Sequence, residues 1–190
     1  GSVLLDGTDI TSLNEKELAA LRLTRFGFVF QQAHLMTTLC LLDNIVLPGF
    51  LAGLRPRPEV TARGKELMER MGIADLAASG VTEVSGGQLQ RAGICRALIN
   101  DPGIVFADEP TGALNSATAL QILDLLGEIH ASGTTLVMVT HDTQVAARAD
   151  RVLVLVDGQI KEDLLLGRYE EADGPSRLTT VTEALQRHSV

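Results

Sequence analysis

The chain has 190 residues, of which 45 % are apolar and 21 % charged, so it can bury a core and is too polar for a bundle of membrane helices. Its formal net charge of −8 lacks the basic excess that nucleic-acid binding requires, which argues against nucleic acid as a partner. The two cysteines are too few for a disulfide framework or a metal cluster, and we interpret them as buried thiols in a reducing compartment, with the cytoplasm as the default.

The first 32 residues are predicted to form part of a β structure. A short apolar run ends at Asp6 and Gly7, a dipeptide typical of hairpin turns. Residues 26–30 alternate in the manner of a strand and stop at Gln31. We therefore predict a partial N-terminal β region over residues 1–32 that ends in the strand leading to Gln31.

Residues 33–97 have helical periodicity and no strong strand candidate, which predicts a helical subdomain. Their most apolar part, residues 39–54, is interrupted by Asp43, Asn44 and Pro48. It is also shorter than the roughly 20 residues that a membrane-spanning helix needs. The N-terminus lacks the basic leader and apolar run of a signal peptide. We expect neither a transmembrane helix nor a signal peptide.

Three apolar strands are predicted next, at residues 103–108, 134–141 and 151–160. An amphipathic helix separates the first two, and this order implies a right-handed crossover and a parallel sheet. The last strand turns at Asp157 and Gly158 into a further hairpin. We place a catalytic core at residues 98–166 and a polar tail at 167–190, with a short helix from Thr182 and no assigned role.

The segment IVFADEP, residues 104–110, is the most informative part of the chain. It predicts that Asp108 and Glu109 lie at the carboxyl edge of the parallel sheet, where open α/β folds bind ligands. Acidic residues also end strands as caps. Two adjacent carboxylates, however, allow one to hold Mg²⁺ through water and the other to orient or deprotonate an attacking water. His141 follows the next strand, where a neutral imidazole can contact a phosphoryl group.

The segment VSGGQLQR, residues 84–91, predicts the start of a helix. Ser85 caps it, Gln88 completes a capping box, and Gly86 and Gly87 leave the N–H groups of the first turn accessible. The positive end of a helix dipole makes such a terminus a candidate anion site. An ordinary cap explains the segment about equally well when it is considered alone.

Together these segments closely resemble the nucleotide-binding domain of ATP-binding-cassette (ABC) transporters over residues 2–162. The matching motifs, in chain order, are the Q-loop FVFQQ, the signature VSGGQLQR, the Walker B segment IVFADEP, the D-loop GALNS and the switch histidine of VTHD. The stretches GTDITSLNEKELAALR and ADEPTGAL look most like the lipoprotein-releasing and macrolide-exporter type.

The resemblance implies an α/β fold with a P-loop-NTPase-like core and parallel sheet, a helical subdomain and an antiparallel β piece at the N-terminus. It implies an ATP-binding and ATP-hydrolysing subunit that powers a membrane permease, with ATP and Mg²⁺ as cofactors. Two such domains would meet head to tail. The protein would then be cytoplasmic and peripheral on the inner face of the cell membrane through the permease.

The same resemblance implies roles for individual residues. Glu109 would be the general base and Asp108 the Mg²⁺ partner. Gln31 would sense the γ-phosphate and also contact Mg²⁺, and His141 would contact the γ-phosphate. The residues implied to bind nucleotide across the dimer are Ser85, Gly86, Gly87, Gln88 and Asn115. The last of these stands where the D-loop usually has Asp.

The family's phosphate-binding loop, GxxxxGK[ST], is missing from these 190 residues. The pair Gly64-Lys65 is no substitute, because Glu59 stands where the first glycine is required. We interpret the chain as N-terminally truncated. That loop supplies most of the N–H groups and positive charge around the β and γ phosphates, so we expect the chain alone to bind ATP poorly.

Two other interpretations stay open. The first is a non-catalytic interaction or regulatory domain that keeps the cassette surface; the missing loop favours it, and the intact carboxylates oppose it. The second is a DNA-repair or chromosome-maintenance ATPase, but the segment between Gln31 and Ser85 is too short for the coiled coil of that class. We expect contact with a permease near Gln31 and residues 34–45, which equally fit the core of the helical subdomain.

Overall fold

The computed structural model describes residues 1–188 of the chain. The chain divides into a first unit, Gly1–Met138, and a second unit that begins at Val139. The first contains β1 (Leu4–Leu5), β2 (Thr8–Asp9), α1 (Glu15–Arg25), β3 (Phe26–Phe30), α2 (Leu41–Ala52), α3 (Arg57–Arg70), α4 (Gly86–Leu98), β4 (Ile104–Asp108) and α5 (Ser116–Ala131). β5 (Thr135–Val139) runs to the boundary, and α6 (Thr143–Ala146), β6 (Arg151–Val156), β7 (Gln159–Leu165) and α7 (Gly174–Arg187) follow.

The central sheet has the strand order β3, β4, β5. β3 and β4 are parallel and in register, from Phe26 opposite Ile104 to Phe30 opposite Asp108. Buried positions alternate along both strands, at Val29, Val105 and Ala107. The predicted α/β fold with a parallel sheet is confirmed, and the register aligns the carboxyl ends of the two strands.

Both hairpins predicted from Asp-Gly pairs are present. β1 pairs antiparallel with β2, and β6 pairs antiparallel with β7. In the turn between β1 and β2, Asp6 and Gly7 have φ of 49° and 80°. In the turn between β6 and β7, Asp157 and Gly158 have φ of 49° and 74°. Two successive left-handed residues are typical of the type I′ hairpin turn, whose twist matches that of the strands.

α4 lies at the centre of the first unit's core. It packs against β3, α2, α3 and α5. The residues that it buries are Gln90, Ala92, Gly93, Ile94, Cys95, Ala97 and Leu98. All but one of them are apolar or glycine, so the buried amide of Gln90 stands out on an otherwise apolar face.

Two helices differ from the sequence-based expectation. α1 was not predicted, yet Asn14 and Glu17 form a capping box at its start. α7 begins at Gly174 rather than at the predicted Thr182. Pro175 lies in its first turn, where proline lacks only an N–H that would have no partner within the helix. Residues 174–181, which were not predicted to be helical, therefore form the first part of α7.

α7 is anchored in the second unit by Arg177, which is 5 % exposed. Its guanidinium donates hydrogen bonds to backbone carbonyls only, those of Ala147, Ala149, Leu166, Gly167 and Arg168. The charge also lies 5.4 Å from the centre of the Tyr169 ring. The tail that had no assigned role therefore packs as part of this unit.

The two cysteines have different surroundings. Cys95 is buried in α4, and burial raises the pKa of its thiol to about 12. Cys40 is only half-buried and caps α2, where its sulfur accepts a hydrogen bond from the Asp43 N–H. Both are free thiols. The expectation of two buried thiols is therefore met by Cys95 and only partly by Cys40.

None of the helices in residues 1–188 combines the length and the apolar character that crossing a membrane requires.

Glycine permits a close crossing of α2 and α3, and we predict that Gly64→Ala destabilises the protein. A Cβ atom at Gly64 would lie 2.6 Å from Cγ1 of Val46. Since Val46 is β-branched and has one preferred rotamer in a helix, overpacking should cost about 1 to 3 kcal/mol. This exceeds the gain in helix propensity of up to about 1 kcal/mol.

The matched control is Gly127→Ala in α5, where a Cβ would meet no atom within 4 Å. It should stabilise the protein by about 0.5 to 1 kcal/mol. Urea unfolding followed by circular dichroism measures both variants. Equal stabilisation by the two substitutions would contradict the packing account.

Candidate functional site

The carboxyl ends of β3 and β4 bring Gln31 and Glu109 onto neighbouring loops. Phe30 and Asp108 are the last paired residues of the two strands, and Gln31 and Glu109 follow them directly. Asp108 is exposed and Glu109 is half-buried. The predicted carboxylate pair therefore stands at the carboxyl edge of a parallel sheet, beside the predicted glutamine.

The turn after β4 holds Glu109 in an uncommon backbone conformation. Its φ is 44°, in the left-handed region that non-glycine residues rarely adopt. Its carbonyl accepts a hydrogen bond of 3.0 Å from the N–H of Gly112, and Pro110 and Thr111 between them are buried. Such a conformation persists only where the surroundings impose it, and it sets the direction in which the carboxylate leaves the chain.

The side chain of Gln31 packs against this turn at Gly112. A Cβ at Gly112 would lie 2.8 Å from Nε2 of Gln31, so only glycine leaves the amide room to rest there. The structure thus groups Gln31, Asp108 and Glu109 within one small region of the first unit.

A second group of predicted residues lies at the N-terminus of α4. The predicted capping box is confirmed: Ser85 Oγ accepts from the Gln88 N–H at 3.3 Å, and the Ser85 N–H donates to Gln88 Oε1 at 2.8 Å. Ser85 and Gly86 are exposed. The positive end of the helix dipole is therefore open to solvent at Gly86.

The N-terminus of α5 lies against that of α4. Asn115 caps α5 by accepting a hydrogen bond of 3.0 Å from the Thr118 N–H. A Cβ at Gly87 would lie 2.5 Å from Cγ2 of Thr118, whereas one at Gly86 would have its nearest neighbour, in Leu114, at 3.8 Å. The two adjacent glycines therefore differ, since only Gly87 is required by packing within this chain.

His141 follows β5 and belongs to the second unit, where it is exposed. The next residue, Asp142, caps α6 by accepting a hydrogen bond of 2.7 Å from the Gln144 N–H. A cap explains why the strand ends in a polar segment at this point. His141 precedes this cap and therefore lies outside α6.

Two polar residues of α4 for which no role was predicted contact the segments at the carboxyl ends of β3 and β4. Gln90 donates to the carbonyls of Phe30 and Pro110 at 2.9 and 2.8 Å. Arg96 donates to the carbonyls of Ala33 and His34 at 2.6 and 2.8 Å, and desolvation lowers its pKa. Gln90 could have been identified from the sequence as a glutamine on the apolar face of an amphipathic helix.

Asp108 and Gln31 offer oxygen ligands of the kind that Mg²⁺ takes. In the described residues, no three His, Cys, Asp or Glu side chains cluster closely enough to hold a metal ion. Asp108 and Gln31 are two possible protein ligands, a number that fits Mg²⁺, which completes its shell with water and phosphate oxygens.

A family model described as "ABC transporter" matches residues 1–112, more than half of the chain. The chain belongs to the ABC transporter family. It is 43 % identical over 175 residues to the macrolide export ATP-binding/permease protein MacB 1/2 of Paracoccus denitrificans, which covers 92 % of this chain and 26 % of that protein. A probable export ATP-binding/permease protein MacB of Pseudomonas entomophila is 44 % identical over 163 residues, which covers 86 % of this chain and 24 % of that protein.

The chain therefore spans about a quarter of the length of the curated relatives that it matches. Among solved structures, it resembles the ABC cassette MJ0796 in a dimeric structure, with a TM-score of 0.79 and 36 % identity. A second dimeric structure of that cassette, in a post-hydrolysis state bound to ADP and Pi, gives a TM-score of 0.75 and 34 % identity. Each covers 89 % of this chain and 75 % of the cassette, and together they confirm the predicted fold of an ABC ATPase.

The different surroundings of the two signature glycines predict different costs of substitution. Gly87→Ala should lower the free energy of unfolding by about 1 kcal/mol or more, because the new methyl group overlaps Thr118. Gly86→Ala should leave stability within about 0.5 kcal/mol, since its nearest contact is an ordinary van der Waals distance. Thermal unfolding of the two variants measures the difference, and a larger loss in Gly86→Ala would refute the assignment.

Proposed function

We propose that this chain is the ATP-binding and ATP-hydrolysing part of an ABC exporter and powers a membrane permease. The observation that carries the proposal is the grouping of Gln31, Asp108 and Glu109 at the aligned carboxyl ends of β3 and β4. Membership of the ABC transporter family and the names of the relatives, export ATP-binding/permease proteins, support the same function.

In this proposal Glu109 is the general base that takes a proton from the attacking water. The turn from Glu109 to Gly112 fixes where the carboxylate starts, so the base does not have to be positioned at the moment of reaction. Proton transfer to a positioned carboxylate is worth about 10²- to 10⁴-fold in rate. Gln31 rests on the same turn, where its amide can respond to the γ-phosphate and orient the water.

Asp108 and Gln31 are the residues that would hold Mg²⁺. The bound ion neutralises charge on the phosphates. Asp108 is exposed at the end of β4, so its carboxylate can reach the ion directly or through water. His141 is proposed to donate or accept a hydrogen bond at the γ-phosphate.

The group at the N-terminus of α4 is proposed to serve the nucleotide of a second domain. Ser85 and Gly86 are exposed at the positive end of a helix dipole, which favours an anion brought by a partner. The residues proposed to face that nucleotide are Ser85, Gly86, Gly87, Gln88 and Asn115. The two similar solved cassettes are dimeric, which supports a head-to-tail pair.

We place the chain on the cytoplasmic face of a membrane, held there by the permease. Residues 34–45 were expected to contribute either to the core or to contact with a permease. Leu41 and Ile45 are buried in the core, whereas Met36 is 52 % exposed. Met36 is therefore the better candidate for the contact. We propose that the chain is divided into a β region at residues 1–32, a helical subdomain at 33–97, a catalytic core at 98–166 and a tail at 167–190.

MgATP binding depends on a loop that these 190 residues do not contain. We predict no thermal shift for the chain with millimolar MgATP. A version extended by a GxxxxGK[ST] segment from a relative should shift clearly, because a ligand at 100 times its Kd stabilises by about 2.7 kcal/mol. A clear shift of the chain alone would refute the first expectation. An extended chain that neither shifts nor hydrolyses ATP would favour the non-catalytic domain.

Glu109→Gln in the extended chain should lower the hydrolysis rate by about 10²- to 10⁴-fold and leave the MgATP thermal shift unchanged, because the amide cannot accept the proton. The control is Glu128→Gln on the exposed face of α5, which makes the same chemical change away from the strand ends. Phosphate release measures both. Hydrolysis by Glu109→Gln at the rate of the control would remove the base from the proposal.

A further inference from the structure

We propose that Gln90 is a positioning residue, which locks the loop of Gln31 and the turn of Glu109 to α4. The inference rests on the proposed ATPase function, in which those two side chains act on one water. Gln90 is not among the residues assigned to nucleotide or metal. Its proposed action is indirect, through the backbone of both loops.

Both donor positions of the Gln90 amide nitrogen are used at the two strand ends. The side chain is 3 % exposed, and Nε2 donates to the carbonyl of Phe30 at 2.9 Å and to that of Pro110 at 2.8 Å. One acceptor immediately precedes Gln31, and the other immediately follows Glu109. Each N–H of a single planar group thus fixes one loop, so the spacing between the loops is set by the width of the amide.

The bond to Pro110 acts where the backbone needs support. Glu109 has a φ of 44°, which costs free energy in a non-glycine residue and requires constraints around it. The Glu109 carbonyl is held by the N–H of Gly112, and the Pro110 carbonyl by Gln90. Two successive peptide groups are therefore fixed on either side of Pro110, and they set the direction in which the Glu109 side chain leaves the backbone.

A second pair of hydrogen bonds holds the loop after β3 to α4. Arg96, six residues after Gln90 on the same helix, donates to the carbonyls of Ala33 and His34. Because Ser85 begins this helix, Gln90 joins the helix that carries the signature segment to the loops of Gln31 and Glu109.

Asn100 provides a matched control, because it makes the same kind of bridge elsewhere. Its Nδ2 donates to the carbonyls of Leu23 at 2.8 Å and Pro48 at 3.2 Å, in α1 and α2. Replacing it removes an amide that joins two backbone carbonyls and leaves the strand ends untouched. The comparison separates loss of a buried bridge from loss of positioning.

The first test is hydrogen exchange on the 190-residue chain, which needs no nucleotide. Gln90→Met should raise the exchange rates of residues 28–33 and 108–113 by about tenfold or more, as expected for loss of about 1.4 kcal/mol of local protection. Asn100→Leu should leave both segments unchanged. Unchanged exchange in both segments of folded Gln90→Met would overturn the proposal. If Gln90→Met does not fold, Gln90→Asn replaces it, since the shorter amide cannot reach both carbonyls.

The second test uses the extended chain. Gln90→Met, or Gln90→Asn in its place, should lower kcat by about 10- to 100-fold with KM for MgATP little changed, because the base is displaced while nucleotide binding persists. Asn100→Leu should keep the parental kcat. Equal kcat in the two variants would overturn the positioning role. If the parental extended chain hydrolyses no ATP, the proposed function fails. The exchange result then still decides whether Gln90 holds residues 28–33 and 108–113 in place.

Discussion

The arrangement of the first unit depends on hydrogen bonds between one buried helix and the ends of two parallel strands. A strand end in a parallel sheet leaves carbonyls that the neighbouring strands no longer pair, and these must find donors if they are buried. α4 supplies the donors at Gln90 and Arg96. Gly93 between them allows contact with Ala33, to which a Cβ would come within 3.3 Å. The helix therefore determines where the loop after β3 runs.

Much of this arrangement could be predicted from the sequence because its signals are local. Asp-Gly pairs gave both hairpins, and the Ser85 capping box was evident from a spacing of three residues. The carboxylates at the end of β4 followed from an apolar run that stops abruptly. Each of these depends on neighbours within a few residues, so a single segment contains the necessary information.

The remaining features depend on residues far apart in the chain. Gln90 finds its acceptors in residues 60 positions earlier and 20 positions later, which no local pattern can indicate. Likewise, the buried guanidinium of Arg177 in α7 donates to the carbonyl of Ala147, which lies 30 positions earlier in the chain. The left-handed backbone of Glu109 is imposed by its surroundings and runs against the preference of the residue type. Sequence therefore located the polar side chains at the strand ends better than the groups that hold them.

The anchoring of α7 has a consequence for its response to salt. Arg177 near the start of the helix is buried and bonded to neutral carbonyls, so mobile ions reach its contacts poorly. Arg187 at the other end pairs with Glu162 at 2.6 Å and is about half exposed, so added salt screens that attraction. Rising ionic strength should therefore fray α7 from its C-terminal turn, while the turn that carries Arg177 stays in place.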